Sequence, residues 1–333
     1  MQTVLLSVIV LIMVCTVLYV CKSVVIPLIF AFLLSYLVSP VLTLLKRLKI
    51  PAPLGVLIIV LLLLGTTYLF GAFMYQRVSA FVAESPKYQD KFMQIAESVT
   101  SRWAIDTSSF SEINWVKEIT PRVMSMTGSF VGFMSKVALV MFFLIFMLLE
   151  QGGLKRRLAL ALEKKQAGVI SEAVTSITGQ IGRYLKIKLM VSMVTGVLVW
   201  LLLTVLGVDF AATWGVLAFF LNFIPNIGSI MSTVPPIFVA FVEHYPKPLP
   251  VILAAVGLLL IQLVMGNIIE PKLQGKGLNL SPVVILFSLV FWGWLWGIPG
   301  MLLSVPIASS IKIACENIDA LKPVAIFMGG SGD

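Results

Sequence analysis

An all-α polytopic membrane protein is the fold class this sequence predicts, and three observations predict it. Of the 333 residues, 59% are hydrophobic and only 12% are charged, too few charges to cover a soluble domain of this size. The apolar residues collect into about eight segments, several close to the roughly 20 residues that cross a bilayer as a helix. The polar stretches between them differ in charge, some strongly basic and some balanced, as the positive-inside rule expects.

Met1 to Cys21 carries no charge before Lys22 and lacks a basic leader and a small-residue cleavage site, so it reads as a retained first span rather than a signal peptide. Ser23 to Leu45 is a second span, closed by Lys46, Arg47 and Lys49, and Leu54 to Tyr75 is a third. The basic cluster sets its loop on the cytoplasmic side, which also places the N-terminus there. Residues 1–75 therefore form an N-terminal membrane region.

Residues 76–130 are the only long polar stretch, and their charges balance, which suits the extracytoplasmic face. Ser85-Pro86 reads as an N-cap followed by a first-turn proline. Tyr88, Phe92, Ile95 and Val99 then form an apolar seam, and Thr120-Pro121 starts a second helix of the same small cap. That seam is the expected oligomer contact outside the bilayer. Residues 131–149 span back, entered through the small-residue pair Gly128 and Gly132.

Residues 150–188 carry Lys155, Arg156, Arg157, Lys164, Lys165, Arg183, Lys186 and Lys188 against three acids, so they are expected inside. Val174, Ile177, Ile181 and Tyr184 share a helical face, which predicts a helix lying along the cytoplasmic surface.

Residues 189–313 read as an inverted repeat. A span, Leu189 to Leu206, precedes an overlong segment, Phe210 to Val242, broken at Phe223 to Ser229 and again at Pro235-Pro236. A second span, Val251 to Gly266, precedes Ser281 to Ile313, broken at Gly297 to Gly300 with Pro306 beyond. Proline frees a carbonyl that hydrocarbon cannot satisfy, so such breaks persist where protein or a wet cavity covers them. Paired interruptions are the sequence mark of a transporter site. Re-entrant hairpins are the favoured reading; full crossings would give eight spans and exchange the sides of the loops. Hairpins put residues 243–250 outside, and residues 270–280 and the tail, 314–333, inside.

The expected substrate pathway runs between the two breaks and uses Asn222, Pro225, Asn226, Gly228, Asn267, Glu270, Pro299 and Gly300. For Asn222 and Asn226, local capping of the half-helices is an equal reading. Glu270 is a functional candidate as an intramembrane acid, although a plain pair with Lys272 at the interface would explain it too. Gly275, Gly277 and Pro282 supply a flexible gate or hinge, with Trp292, Trp294 and Trp296 either gating or forming an aromatic belt. Lys136, Asp209 and Lys312 read as snorkelling interfacial groups.

Several classes fall away. The net charge of +9 resides in juxtamembrane clusters, so nucleic acid is not an expected partner. One histidine, His244, in a polar loop, and three cysteines, Cys15, Cys21 and Cys315, read as small hydrophobes, offer no metal set. No phosphate-binding loop, nucleophile elbow or dinucleotide fingerprint occurs. Neither an enzyme nor a cofactor is expected.

The runs Phe220 to Gly228, Gly266 to Lys272, Phe291 to Gly297 and Gly300 to Pro306, with Val25 to Pro27, closely resemble the autoinducer-2 exporter family, above all its quorum-signal transporter branch. The resemblance covers essentially the whole chain. It implies a bacterial inner-membrane homo-oligomer, a pentamer, that moves autoinducer-2 or another small solute across the lipid bilayer. Some relatives are described as sodium/proton antiporters. The expected function is ion-gradient-driven export of a small polar signal such as autoinducer-2. Its rivals are sodium/proton antiport, a channel-like pore and a non-transporting scaffold.

Overall fold

The computed structural model describes residues 2–103, 130–150, 164–274, 279–318 and 321–330. Gly128, the Thr120-Pro121 helix start, Gly275 and Gly277 lie outside the described residues. The described chain is helical: α1 (Gln2–Val20), α2 (Lys22–Arg47), α3 (Ala52–Trp103), α4 (Phe130–Glu150), α5 (Lys164–Val205), α6 (Ala211–Leu221), α7 (Ile227–His244) and α8 (Pro248–Gln262). One π-helical turn, Leu263–Ile269, leads into α9 (Glu270–Gln274). Then come α10 (Pro282–Trp296), α11 (Ile298–Glu316) and α12 (Lys322–Met328). Among the described residues, seven helices are long and apolar enough to cross a membrane. The protein is an all-α polytopic membrane protein.

Two of the expected boundaries dissolve into longer helices. Ser85-Pro86 does not start a helix: α3 runs through it, and the Ser85 hydroxyl donates back to the Val82 carbonyl, 2.7 Å away. A proline removes one backbone donor, and a helix already anchored on both sides tolerates the loss. At 52 residues, α3 is about 78 Å long, far beyond a hydrocarbon core of about 30 Å. Its apolar first part fits the bilayer, and the part beyond Tyr75 is a charged arm. Likewise α5 is one 42-residue helix in place of a surface helix followed by a span. The prolines at 235, 236 and 306 also lie inside continuous helices and break nothing.

The chain divides into two compact units that interleave in sequence. Unit 1 comprises residues 1–63, 134–187 and 274–333. One of its cores joins Ala31, Leu42, Val56, Leu144 and Leu148. A second joins Leu33, Ile181, Leu295, Trp296 and Leu303. The face of Ile177 and Ile181, expected to lie on a lipid surface, is therefore consumed by packing inside the protein. Unit 2 comprises residues 64–133 and 188–273. Its core joins Tyr88, Val199, Leu203, Trp214, Ala218, Val242 and Leu258. Tyr88 is buried there, Phe92 packs against the same core and Ile95 is buried as well, so most of the seam expected to hold an oligomer is covered within the chain.

Each unit contains a helical hairpin that closes at one of the breaks. In unit 2, α6 folds back onto α7; in unit 1, α10 folds back onto α11, with the Ser288 hydroxyl donating to the Ser304 carbonyl at 2.8 Å. At the closest crossing of each hairpin stands a glycine. A Cβ at Gly228 would overlap the Leu221 carbonyl, and one at Gly300 the Trp292 carbonyl. Gly297 opens the second turn with φ +67°, a conformation that costs glycine little.

These crossings yield a direct expectation. Gly228→Ala and Gly300→Ala should each lower stability by about 1–3 kcal/mol through forced separation of the arms. Gly179→Ala, at a helical position with open space around it, should be neutral or slightly stabilising. Thermal unfolding of the three variants in detergent, with monodispersity as a control, checks the contrast.

Candidate transport site

Helix α5 carries Lys188, Ser192 and Thr195 at i, i+4 and i+7, positions that share one face. All three are buried. Farther along the same face come Val199 and Leu203, which enter the apolar core of unit 2. The polar half of this stripe meets two of the expected site residues.

Asn222 ends α6, and its side-chain amide donates to the Ser192 hydroxyl at 2.9 Å rather than capping a half-helix. Between the arms, Ile227 donates its N–H to the Pro225 carbonyl at 2.6 Å, across Asn226 at φ +59° and ψ −53°. That is a γ-turn with positive φ, a rare and strained form. Asparagine tolerates positive φ better than most side chains. Pro225 is partly buried, Asn226 is exposed at the tip and Gly228 is buried.

Glu270 lies one helical turn of α5 away, on the Lys188 side. The Lys188 ammonium donates to Oε1 at 2.7 Å and to Oε2 at 2.8 Å, and the two side chains are only 6% and 14% exposed. Lys188, a member of the basic cluster expected on the cytoplasmic side, is thus the buried partner, 82 positions from Glu270, in place of the neighbouring Lys272. The π turn before Glu270 has a local cause. In α-helical register the Pro271 ring would meet the Asn267 carbonyl; the widened turn, with Glu270 N–H on the Met265 carbonyl, inserts one residue and rotates the start of α9 by about 100°. Such turns recur at functional sites. Asn267, within it, faces outward and is exposed.

One further polar contact lies in the same unit. Gln262 donates to the Ser232 hydroxyl of α7 at 2.8 Å. The buried oxygens Gln262 Oε1, Thr233 Oγ1 and Thr213 Oγ1 have no hydrogen-bond partner. Sequence reasoning did not single out Lys188, Ser192 or Gln262 as the partners of Glu270, Asn222 and Ser232. The visible signal was polar residues at helical spacing within otherwise apolar runs.

The remaining candidates lie in unit 1. Trp292 and Trp296, four residues apart, pack as a tilted pair with centroids 4.7 Å apart, and the Trp296 indole donates to the Leu18 carbonyl at 3.1 Å. Trp294, on another face, is 75% exposed. The three do not form one cluster, because alternate positions diverge on a helix. Pro299 lies in the first turn of α11, Gly300 is buried at the hairpin crossing, and Pro282 opens α10. Lys312 is no snorkelling group: it is buried, donates to the Asn279 carbonyl at 2.8 Å and lies 3.4 Å from Glu316. Of the cysteines only Cys315 is buried, while Cys21 is exposed. His244 ends α7 rather than lying in a loop.

Residues 8–320 match the family described as AI-2E family transporter. This chain belongs to the AI-2E transporter family. It is 37% identical to a Borreliella burgdorferi protein named "Putative transport protein", over 92% of this chain and 84% of that one. It is 32% identical to the Escherichia coli "AI-2 transport protein TqsA", over 92% of this chain and 89% of the relative. Escherichia coli "Putative transport protein YhhT" is 31% identical over 92% and 88%.

The buried pair has energetics that can be measured. Removing one partner leaves a buried charge alone and costs about 3–5 kcal/mol, whereas replacing both by apolar groups is often neutral. Lys188→Met and Glu270→Leu should each lower thermal stability in detergent by an amount in that range. The double variant Lys188→Met/Glu270→Leu should recover most of it. A double variant as unstable as the sum of its parts would mean that the two groups do not act as a pair.

Proposed function

We propose that this membrane transporter moves a small polar solute of the autoinducer-2 type, driven by an ion gradient, past the polar stripe of unit 2. The observation that carries the reading is the buried Lys188–Glu270 pair with the Asn222–Ser192 contact one turn away. A buried ion pair is poor value for stability, so its presence beside a strained helix break supports a role in binding. Hydroxyl and amide groups suit a polyhydroxylated solute, which exchanges its water for them. In this reading both hairpins are re-entrant, both termini are cytoplasmic, and the protein works as a homo-oligomer in a bacterial inner membrane. The AI-2 name of TqsA supports the substrate class.

Sodium/proton exchange is the second reading. It is favoured by the geometry at Glu270, where a cation or proton reaching the carboxylate must release Lys188. Reconstituted flux separates the two when autoinducer-2, sodium and proton gradients are varied independently. The Lys188→Met/Glu270→Leu protein, once shown to fold, should lose flux by at least about tenfold, or about 1.4 kcal/mol in the barrier. Wild-type flux in that variant removes the stripe from the pathway. Loss of proton-coupled sodium flux alone, with autoinducer-2 unmoved by either protein, selects the exchange reading.

Sidedness has its own check. In a background without native cysteines, Lys247→Cys between α7 and α8 should react with an impermeant probe only from outside. Labelling only from inside would replace the re-entrant hairpins by full crossings.

A further inference from the structure

Outside the transport site, unit 2 brings three titratable oxygens to one point. The Tyr88 hydroxyl lies 2.9 Å from Asp209 Oδ2 and 2.9 Å from Glu243 Oε1. The Asp209 backbone N–H donates to the Glu243 carboxylate at 3.0 and 3.2 Å. Tyr88 itself is 1% exposed. These residues come from three different places: the charged arm of α3, the loop that enters α6, and the last turn of α7. Asp209 and Glu243 therefore mark the two open ends of the α6–α7 hairpin, opposite its tip at Asn226.

The proton count does not suit two anions. A phenol has one proton, so it donates fully to one carboxylate and leaves the other facing its lone pairs. Two carboxylates sharing one site raise the affinity of one of them for a proton. With one added proton the chain closes: one carboxyl donates to the phenol oxygen, and the phenol donates to the remaining carboxylate.

From α3, Lys87 lies 3.7 Å from Asp209 but is 52% exposed and shared with Glu84, and Lys91 adds a weaker positive field. From α7, His244 bonds the Ala240 carbonyl and Tyr245 meets Ser98. From α8, the apolar Ala254 and Leu258 join the adjoining core. Burial pushes the Asp209 carboxyl up, but hydrogen bonds from Glu243 and Tyr88 and the charges of Lys87 and Lys91 outweigh it and hold Asp209 below its ordinary range. Asp209 is thus the anion of the set.

We infer that Tyr88, Asp209 and Glu243 form a proton-operated clasp, in which one proton taken up on Glu243 fastens the base of the α6–α7 hairpin to the α3 arm. At higher pH the proton leaves, the carboxylates repel, and the hairpin base loosens. The clasp is separate from the transport site, so its failure leaves the Lys188–Glu270 reading untouched.

Infrared difference spectra of the full-length protein in nanodiscs, taken between about pH 8 and pH 5, test it. The protonated-carboxyl band is the readout because His244 and the lysines do not contribute to it. Wild type should gain one such band on acidification, and Glu243→Gln should lack it. Asp209→Asn, which removes the competing carboxylate, should move its midpoint down by about one pH unit or more. Tyr88→Phe keeps both acids but removes the phenol that gains a second hydrogen bond on protonation, so it should move the midpoint down. No band in wild type, an unchanged band in Glu243→Gln, or a midpoint indifferent to Tyr88→Phe would each overturn the clasp. Spin labels on Lys91→Cys and Lys247→Cys should report a narrower distance distribution at the acid end than at the alkaline end. Equal widths would refute the fastening step.

Discussion

A polar group inside a protein that is itself surrounded by hydrocarbon has no water to fall back on, and unit 2 is arranged around that constraint. Lys188 cannot snorkel from its place on α5, so its ammonium must find an anion within reach. Glu270 supplies both oxygens. For Glu270 to reach, the chain must turn its face immediately before Pro271, and the π turn provides the rotation. The ion pair thereby uses the rotation that the π turn before Pro271 supplies, and it gives one face of α5 its polar partner. The same face continues into Val199 and Leu203, so the helix that carries the charge is also anchored in the apolar core.

The hairpins answer the same constraint for backbone groups. At the first break, carbonyls freed by Pro225 lie in a turn whose N–H groups bond back to Pro225 and Ile224. At both breaks a glycine lets one arm lie against a carbonyl of the other, a distance that no side chain permits. The repeated sequence pattern of proline followed by glycine has a shared physical purpose: it closes two helical arms with few unsatisfied groups at the tip.

Much of this was legible in the sequence, and the losses are instructive. Hydrophobicity and span length gave the fold class, because satisfying backbone groups in lipid leaves few solutions. The breaks at Asn222–Asn226 and Gly297 were visible because proline and glycine act locally. The prolines at 86, 235, 236 and 306 misled for the same reason: a local rule says nothing about packing that keeps a helix intact. The seam at Tyr88 and Ile95 and the face at Ile177 and Ile181 were read as amphipathic surfaces, since periodicity reveals an apolar face but not what covers it. Asn222 and Glu270 stand out in the sequence from their positions near breaks. Lys188 was hidden within a basic cluster, and pairing across 82 residues leaves no local trace.

The two polar sites of unit 2 bracket a single hairpin. Asn222 holds the tip end of α6 to the stripe on α5, while Asp209 and Glu243 hold its base to the α3 arm. α6 has only 11 residues, about 16 Å from base to tip, and it is too short and too well packed through Trp214 and Ala218 to bend independently of its ends. A change in how the base is fastened must therefore be taken up as rigid movement of the hairpin or as strain at the γ-turn of Asn226. Coupling of this kind requires an element with two discrete arrangements, and a clasp that is either bridged by a proton or divided by repulsion supplies them. In the proposed reading, the clasp at the arm and the stripe at the tip would be linked through one short helix, while each remains testable without the other.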